Sequence, residues 1–144
     1  GFLQGLFDWL GRECRLPVKI APFGEVPAPG HIYFTPEAKH LEFDRAGRFV
    51  YSSAPPYSGH RPSVTVTFNS IAKSYGDSAV GILLTGMGRD GADGMLSIAQ
   101  SGGLTIAQDE QSCVVFGMPK EAIALGAATH ILPVKEISSL LVNL

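Results

Sequence analysis

Cysteine is scarce in this sequence: the chain has two, Cys14 and Cys113, far apart and outside any C-x-x-C pair. This pattern suits neither a disulfide framework nor a cysteine zinc site, and it is typical of proteins in a reducing compartment. No initiator methionine, basic segment or apolar leader opens the chain at Gly1. We therefore expect a cytoplasmic protein without a secretion signal, cut from a longer chain.

The sequence also has no large excess of positive or negative charge and no long apolar run. The formal net charge is -2, so no broad basic surface is expected and nucleic acid is not an expected partner. The longest purely apolar run, 79–84, is too short to cross a bilayer, which argues against membrane insertion. His31, His40 and His130 stand apart without ligand spacing. We expect them to be surface or satisfied structural histidines, with no metal and no cofactor.

The sequence does contain enough apolar residues to form one hydrophobic core. With 144 residues and 45% hydrophobic content, the chain is predicted to form a single domain over 1–144. Apolar periodicity and Gly or Pro breaks predict helices and strands along it. The first predicted helix has an apolar stripe that starts at Phe2. The predicted helices are 2–13, 63–75, 92–101, 119–125 and 136–142, and the predicted strands are 18–20, 31–34, 41–43, 49–51, 79–84, 104–107 and 131–134.

The order of these elements predicts the fold class. The first four short strands, between Pro and Gly clusters, are interpreted as a hairpin or small antiparallel patch. From residue 79 onward, strands and helices alternate, which is typical of right-handed parallel crossovers. The near-continuous apolar strand 79–84 is expected to be buried on both faces. The sequence therefore predicts an α/β, doubly wound, mainly parallel sheet with functional loops at the carboxyl ends of the strands.

One glycine-rich segment follows the buried strand directly. It is the run 85–94, Thr-Gly-Met-Gly-Arg-Asp-Gly-Ala-Asp-Gly, with Asp90 where the next helix begins. Glycines at this position allow a sharp turn and close approach to another group. A carboxylate there accepts N–H bonds and lies at the positive end of the helix dipole.

Three interpretations of this segment remain open on local grounds. Asp90 could be an ordinary N-cap of the following helix. The spacing of Gly86, Gly88 and Gly91 also matches a dinucleotide fingerprint, with Asp109 in the place of a ribose-binding acid, although the charge of Asp90 would repel a pyrophosphate. In the third interpretation, Asp90 is the acid of a hydrolytic triad that orients a histidine held elsewhere.

Two long motifs carry a family resemblance. The run 81–94 followed by 107–126 closely resembles the C-terminal part of CheB-type protein-glutamate methylesterases, and so do His60-Arg-Pro-Ser-Val64 and Pro29-Gly-His-Ile-Tyr33. The resemblance covers nearly the whole chain. It implies hydrolysis of glutamyl methyl esters, with related deamidation of glutamines, on methyl-accepting chemotaxis receptors. By the same resemblance, a receiver domain is expected N-terminal to this segment in the full-length protein, as in many family members.

By this resemblance Asp90 matches the triad Asp of the family. Met87, with Gly86 and Gly88, is expected to form one wall of the substrate site. His60 is expected at the edge of the substrate cleft. Arg61 is expected either to contact an anionic part of the substrate or to be solvated, and both interpretations of Arg61 remain open. The implied chemistry is acyl transfer through serine, with backbone N–H groups holding the oxyanion.

The nucleophilic Ser and the His of the family lie in segments that this chain does not contain. No G-x-S-x-G motif replaces them, and Ser63, although near His60, is explained as a helix cap. We therefore expect the chain to be inactive alone, and to associate with a second copy or with the missing segments through an exposed sheet edge. The alternative is a non-catalytic receptor- or partner-binding module on the same fold. Cys113, beside Val114, is expected to lie in the core.

Overall fold

The computed structural model describes residues 2–144, with side chains from Leu3 onward. The side chain of Phe2, predicted to start the apolar stripe of the first helix, lies outside this description. The helices are α1 (Phe2–Glu13), α2 (Val64–Tyr75), α3 (Ala92–Gln100), α4 (Met118–Ala124) and α5 (Val134–Val142). The strands are β1 (Val18–Ile20), β2 (Ile32–Phe34), β3 (His40–Phe43), β4 (Phe49–Ser52), β5 (Val80–Leu83), β6 (Leu104–Gln108) and β7 (His130–Leu132).

Three parallel strands form the largest sheet of the described chain, in the order β5-β6-β7. Val80 of β5 pairs with Leu104 of β6, and Ile106 of β6 pairs with His130 of β7. Each of these strands is followed by a helix, because parallel neighbours need a crossover connection. The predicted α/β fold with a mainly parallel sheet is therefore confirmed. Within the described residues no helix is both long and apolar enough to span a bilayer.

The four short N-terminal strands form two separate pairs. β3 and β4 are an antiparallel hairpin in which Leu41 pairs with Tyr51, as the predicted patch requires. β1 and β2 are parallel, with Val18 opposite Ile32, so the prediction of antiparallel pairing is wrong for them. Apolar alternation defines which face of a strand is buried but not its direction, and the connection between β1 and β2 is long enough to return the chain for a parallel pairing.

The edge strand β5 is covered on one side only. Gly81 is buried and Leu83 is 3% exposed, whereas Val80 is 41% exposed and Leu84, just beyond the strand, is 47% exposed. The prediction that this segment is buried on both faces is therefore wrong for the described residues. The covered side packs on α2 and α3, since a Cβ on Gly81 would lie 2.9 Å from Ile98 Cδ1 in α3 and 3.6 Å from Phe68 Cε2 in α2.

Helices α2 and α3 approach each other closely at Gly94. A Cβ built at Gly94 would lie 2.6 Å from Phe68 Cβ and 2.9 Å from Thr65 Cα. Because Thr65 contributes a backbone atom, this contact cannot be relieved by rotating one flexible side chain. The close approach brings the first turn of α2 to the loop that precedes α3, and this is where the candidate site lies.

Replacement of Gly94 by Ala is expected to lower the free energy of unfolding by about 2 kcal/mol. Overpacking of this contact costs about 3 kcal/mol, and the better helix propensity of Ala recovers about 1 kcal/mol. The matched control is Gly5→Ala in α1, where an added Cβ meets nothing within 4 Å, so a small gain is expected. Urea unfolding of both variants measures this, and equal stability of the two would contradict the close packing.

Candidate functional site

The glycine-rich loop after β5 is joined to a second loop that precedes α4. The Gly86 N–H donates to the Val115 carbonyl at 3.0 Å, and the N–H groups of Gly117 and Met118 donate to the Gly86 carbonyl at 3.1 and 3.0 Å. The Thr85 hydroxyl both donates to the Val115 carbonyl and accepts from its N–H. A Cβ at Gly86 would lie 2.7 Å from Met118 Sδ. These bonds hold the two loops as one unit at the carboxyl end of the sheet.

Two residues of this loop have left-handed backbone. Gly88 has φ 94° and Gly91 has φ 98°, a region in which residues with a Cβ are strained. At Gly91 a Cβ would also lie 2.8 Å from Leu83 Cδ2. The Gly91 N–H donates to Thr65 Oγ1 at 2.9 Å. The turn therefore aims the intervening segment, including Asp90, at the first turn of α2.

The carboxylate of Asp90 is buried, at 6% exposure, and accepts three hydrogen bonds. Ser63 Oγ donates to Oδ1 at 2.7 Å, the Thr65 N–H donates to Oδ1 at 3.2 Å, and the Val64 N–H donates to Oδ2 at 2.8 Å. The interpretation of Asp90 as the cap of its own helix is wrong, because α3 has Gly91 at its N-cap. Asp90 instead lies at the positive end of α2. All three partners are donors, as an ionised carboxylate requires.

Ser63 caps α2 as predicted, and it also holds Asp90. Its Oγ accepts from the Val66 N–H at 3.3 Å while donating its proton to Asp90. The backbone N–H of Ser63 donates to His40 Nδ1 at 3.2 Å. His40 is fully buried and its Nε2 contacts the Pro55 carbonyl at 3.0 Å. His40 is thus a satisfied structural histidine, one of the two outcomes expected for it.

The role of His40 beside the acid is not evident in the sequence, since 23 residues separate it from Ser63. The pair His60 and Ser63 shows the opposite case, because the two lie close in sequence but do not act on each other. The Ser63 proton is donated to Asp90, while His60 is exposed and pairs through its backbone with Tyr57.

The loop that carries His60 and Arg61 is closed on itself. The Arg61 guanidinium donates from Nη1 to the carbonyls of Ser53 and Ala54, both at 3.3 Å. The N–H and carbonyl of Tyr57 pair with those of His60 at 2.9 Å. Both candidate side chains are therefore on the loop that leads into Ser63, and Arg61 makes contacts within that loop.

A polar cluster joins this loop to α3 and α4. Tyr57 donates its hydroxyl to Asp93 Oδ2 at 2.7 Å, and this bond is the largest of the effects that raise the pKa of Tyr57. Arg89 bridges Asp93 at 3.0 Å and Glu121 at 3.3 Å. The sequence analysis assigned no role to Tyr57 or Asp93, although Asp93 lies in the run 85–94, because their contact spans 36 residues.

The rim of the glycine-rich loop is apolar and open. Met87 is 83% exposed and Val114 on the joined loop is 90% exposed. Among the described residues, four successive N–H groups of this loop, those of Met87, Gly88, Arg89 and Asp90, donate to no protein acceptor. The loop therefore has a run of backbone donors without protein acceptors, and Met87 places a large apolar side chain at its outer edge.

Cys113 is only half-buried and lies beside the same loop. Desolvation is the main cause that raises the pKa of its thiol, which disfavours the reactive thiolate. The expectation that Cys113 lies in the core is therefore wrong, and its apolar neighbour Val114, on which that expectation rested, is exposed. Val114 is left outside because the bonds between Thr85 and Val115 hold this segment over the end of the sheet.

The dinucleotide interpretation fails on the same contacts. The N–H groups of Gly86 and Gly91 already donate within the protein, so they are not free to bind a pyrophosphate. The buried carboxylate of Asp90 would add like-charge repulsion. In the part of the chain that is described, no group of three or more His, Cys, Asp or Glu side chains could hold a metal ion.

Fold and site together define an α/β domain whose glycine-rich loop, at the carboxyl end of a parallel strand, holds a buried acid. The sequence model of the CheB methylesterase family matches residues 1–141, and the chain belongs to that family. The crystal structure of the Thermotoga maritima CheB methylesterase catalytic domain superposes with a TM-score of 0.93 at 36% identity, over 99% of this chain and 77% of that one.

Two curated relatives show how much of the family protein this chain represents. A protein-glutamate methylesterase/protein-glutamine glutaminase of Nitrosospira multiformis is 46% identical over 144 residues, which are 100% of this chain and 41% of the relative. One of Thiobacillus denitrificans is 49% identical over 140 residues, 95% of this chain and 39% of the relative. The chain thus spans about 40% of the length of the curated relatives it matches.

Proposed function

We propose that this chain is part of a cytoplasmic protein-glutamate methylesterase that hydrolyses glutamyl methyl esters, and deamidates glutamines, on chemotaxis receptors. Membership of the CheB methylesterase family supports the reaction class. The single observation that carries the mechanism is the buried carboxylate of Asp90, held by three donors on a loop at the carboxyl end of the sheet. Ligand and catalytic groups of open α/β sheets lie at this end.

In the proposed mechanism Asp90 is the acid of a Ser-His-Asp triad. A carboxylate has about four acceptor positions, and the three protein donors leave one of them on Oδ2. An imidazole N–H at that position would be held in the tautomer that lets its other nitrogen take the proton of a serine. Asp90 would then stabilise the imidazolium without itself becoming protonated.

The nucleophile and the base come from outside these 144 residues in this proposal. Ser63 donates to Asp90, and both ring nitrogens of His40 have backbone partners, so neither residue is free for acyl transfer. The unpaired N–H groups of Met87 and Gly88 are the proposed donors to the oxyanion of the tetrahedral intermediate. Met87 would form the apolar wall of the ester site, and His60 would line the cleft.

For Arg61 we propose a role within its own loop rather than a direct contact with the substrate. Its two contacts with the carbonyls of Ser53 and Ala54 support a role in shaping the loop, and a direct contact with an anionic substrate region would require these bonds to break. We further propose that residues 1–144 belong to one domain, and that a receiver domain lies N-terminal to them in the full-length gene product.

The isolated segment is proposed to associate with itself or with the remaining part of the domain. The basis for this proposal is two exposed apolar side chains, Val80 of the edge strand β5 and Leu84 just beyond it. An unpaired edge with apolar neighbours favours pairing with another strand.

The full-length gene product is expected to release methanol from a methylated receptor cytoplasmic fragment, and to convert selected receptor glutamines to glutamates. Methanol release and a mass increase of the deamidated peptides measure the two reactions. A receptor fragment with Ala at the modified positions is the control. Binding of the receptor without either product would favour the non-catalytic binding module instead.

A further inference from the structure

The buried pair His40 and Ser63 forms a continuous chain of contacts that ends on Asp90. The Pro55 carbonyl can only accept and the Ser63 N–H can only donate. The contacts of 3.0 and 3.2 Å with these two groups therefore require the proton of His40 to be on Nε2 and leave Nδ1 as an acceptor. The ring is held as one neutral tautomer by two backbone partners.

Ser63 is the next member of this series of hydrogen bonds, and its donor and acceptor roles are equally well defined. The Val66 N–H donates to its Oγ at 3.3 Å, so the hydroxyl proton is free to reach Asp90 Oδ1 at 2.7 Å. Ser63 is 1% exposed and His40 is 0% exposed. Water therefore cannot replace either contact without a rearrangement of the first turn of α2.

We propose that His40 and Ser63 are positioning residues that decide which oxygen of Asp90 faces the catalytic base. Ser63 and the Thr65 N–H occupy Oδ1, and the Val64 N–H occupies one position of Oδ2. The remaining acceptor position on Oδ2 is the one that meets the imidazole. This inference rests on the proposed triad role of Asp90 and adds the residues through which the fold orients it.

A helix cap alone would not need the buried histidine. Ser63 has extended backbone, φ -113° and ψ 133°, and a serine in this conformation caps a helix with its own Oγ. His40 adds nothing to that bond, but it fixes the Ser63 backbone, and with it the direction of the hydroxyl toward Asp90. A misplacement of about 1 Å in a catalytic group lowers turnover by about 100-fold.

The test is made in the full-length gene product with kcat and KM for methyl ester hydrolysis. Ser63→Gly keeps a tolerated N-cap residue but removes the hydroxyl, and is expected to lower kcat by about 100-fold with KM unchanged. Ser63→Thr restores the hydroxyl and is expected to recover kcat. His40→Leu, which lacks the acceptor, is expected to lower kcat, and His40→Asn, which retains one, to recover part of it.

The matched control is Ser70→Ala on the same helix. Ser70 is also buried, and its hydroxyl accepts from the Phe43 N–H and donates to the Thr67 carbonyl, but it does not touch Asp90. We expect this variant to change thermal stability without changing kcat. An equal loss of kcat in Ser63→Gly and Ser70→Ala would overturn the proposal, because it would show a general effect of helix packing.

A double-mutant cycle separates this inference from the proposed function. In an Asp90→Asn background, Ser63→Gly is expected to have no further effect on kcat, since it acts through the acid. A full 100-fold loss in that background would overturn the positioning role. If Asp90→Asn alone leaves kcat unchanged, the triad role fails; if it lowers kcat and Ser63→Gly does not, the positioning role alone fails.

Discussion

Residues 1–144 alone are expected to hydrolyse methylated receptor at a rate about 10⁶ below that of the full-length gene product. In subtilisin, loss of the nucleophile or of the base alone costs about this factor in kcat. Ser63 and His40, the serine and the histidine of the Asp90 cluster, offer no replacement, because the Ser63 proton is donated to Asp90 and both nitrogens of His40 are bonded to backbone groups.

Methanol release by the purified segment, beside the full-length gene product at equal concentration, measures this difference. Circular dichroism of the segment controls for folding. Turnover by a folded segment above the uncatalysed rate, abolished by Ser63→Gly, would contradict the assignment of Ser63 to positioning. It would also mean that the hydroxyl can leave Asp90 and attack the ester.

Asp90→Asn in the full-length gene product is expected to lower kcat by about 10⁴. The expected size comes from the serine protease triad, where the same change leaves the histidine in the wrong tautomer. The structure adds a second expectation. An amide has one acceptor oxygen, so an Asn at this position would direct its NH₂ group at one of the backbone donors now bound to Asp90, the Thr65 N–H or the Val64 N–H.

This second effect is expected to lower the free energy of unfolding by about 1 to 3 kcal/mol, the cost of an unsatisfied buried polar group. The substitution is therefore expected to destabilise the fold as well as to lower kcat. Steady-state kinetics well below the melting temperature separates the two effects, and urea unfolding measures the second.

Asp44→Asn is a matched control for this substitution. The Asp44 carboxylate also accepts three hydrogen bonds, from the Ala46 N–H, the Arg48 N–H and Arg48 Nε. It lies in the turn between β3 and β4, near Ser74 in the last turn of α2, whereas Asp90 lies at the first turn of that helix. We expect the kcat of Asp44→Asn to match that of the unmodified protein. A 10⁴-fold loss in Asp44→Asn would show that the Asp90 result is not specific to the triad.

Much of the local structure could be predicted because its causes are local. The apolar spacing of α2, the serine before it and the glycine after it define a helix that the structure places at Val64–Tyr75, with Ser63 and Gly76 as its caps. The strand and helix alternation after residue 79 was likewise correct. The direction of β2 could not be predicted, because it depends on which strand lies next to it.

One part of the candidate site could likewise be predicted from the sequence, and another part could not. The glycine pattern of 85–94 pointed to a tight loop with a functional acid, and Gly88 and Gly91 have the left-handed backbone that such a loop requires. The partner of the acid did not follow from this pattern. The contact between Ser63 and Asp90 spans 27 residues, and no local rule connects the two positions.

Helix caps, apolar periodicity and left-handed glycines act within a few residues, so the sequence was sufficient to predict the helices, the glycine-rich turn and the position of the acid in that turn. The binding of Asp90 to the first turn of α2 rather than to its own helix, and the role of His40 in fixing the serine between them, depend on contacts between distant parts of the chain. These contacts form because α2 packs closely on α3 at Gly94. This packing brings the unpaired N–H groups of one helix within reach of a carboxylate from another part of the chain.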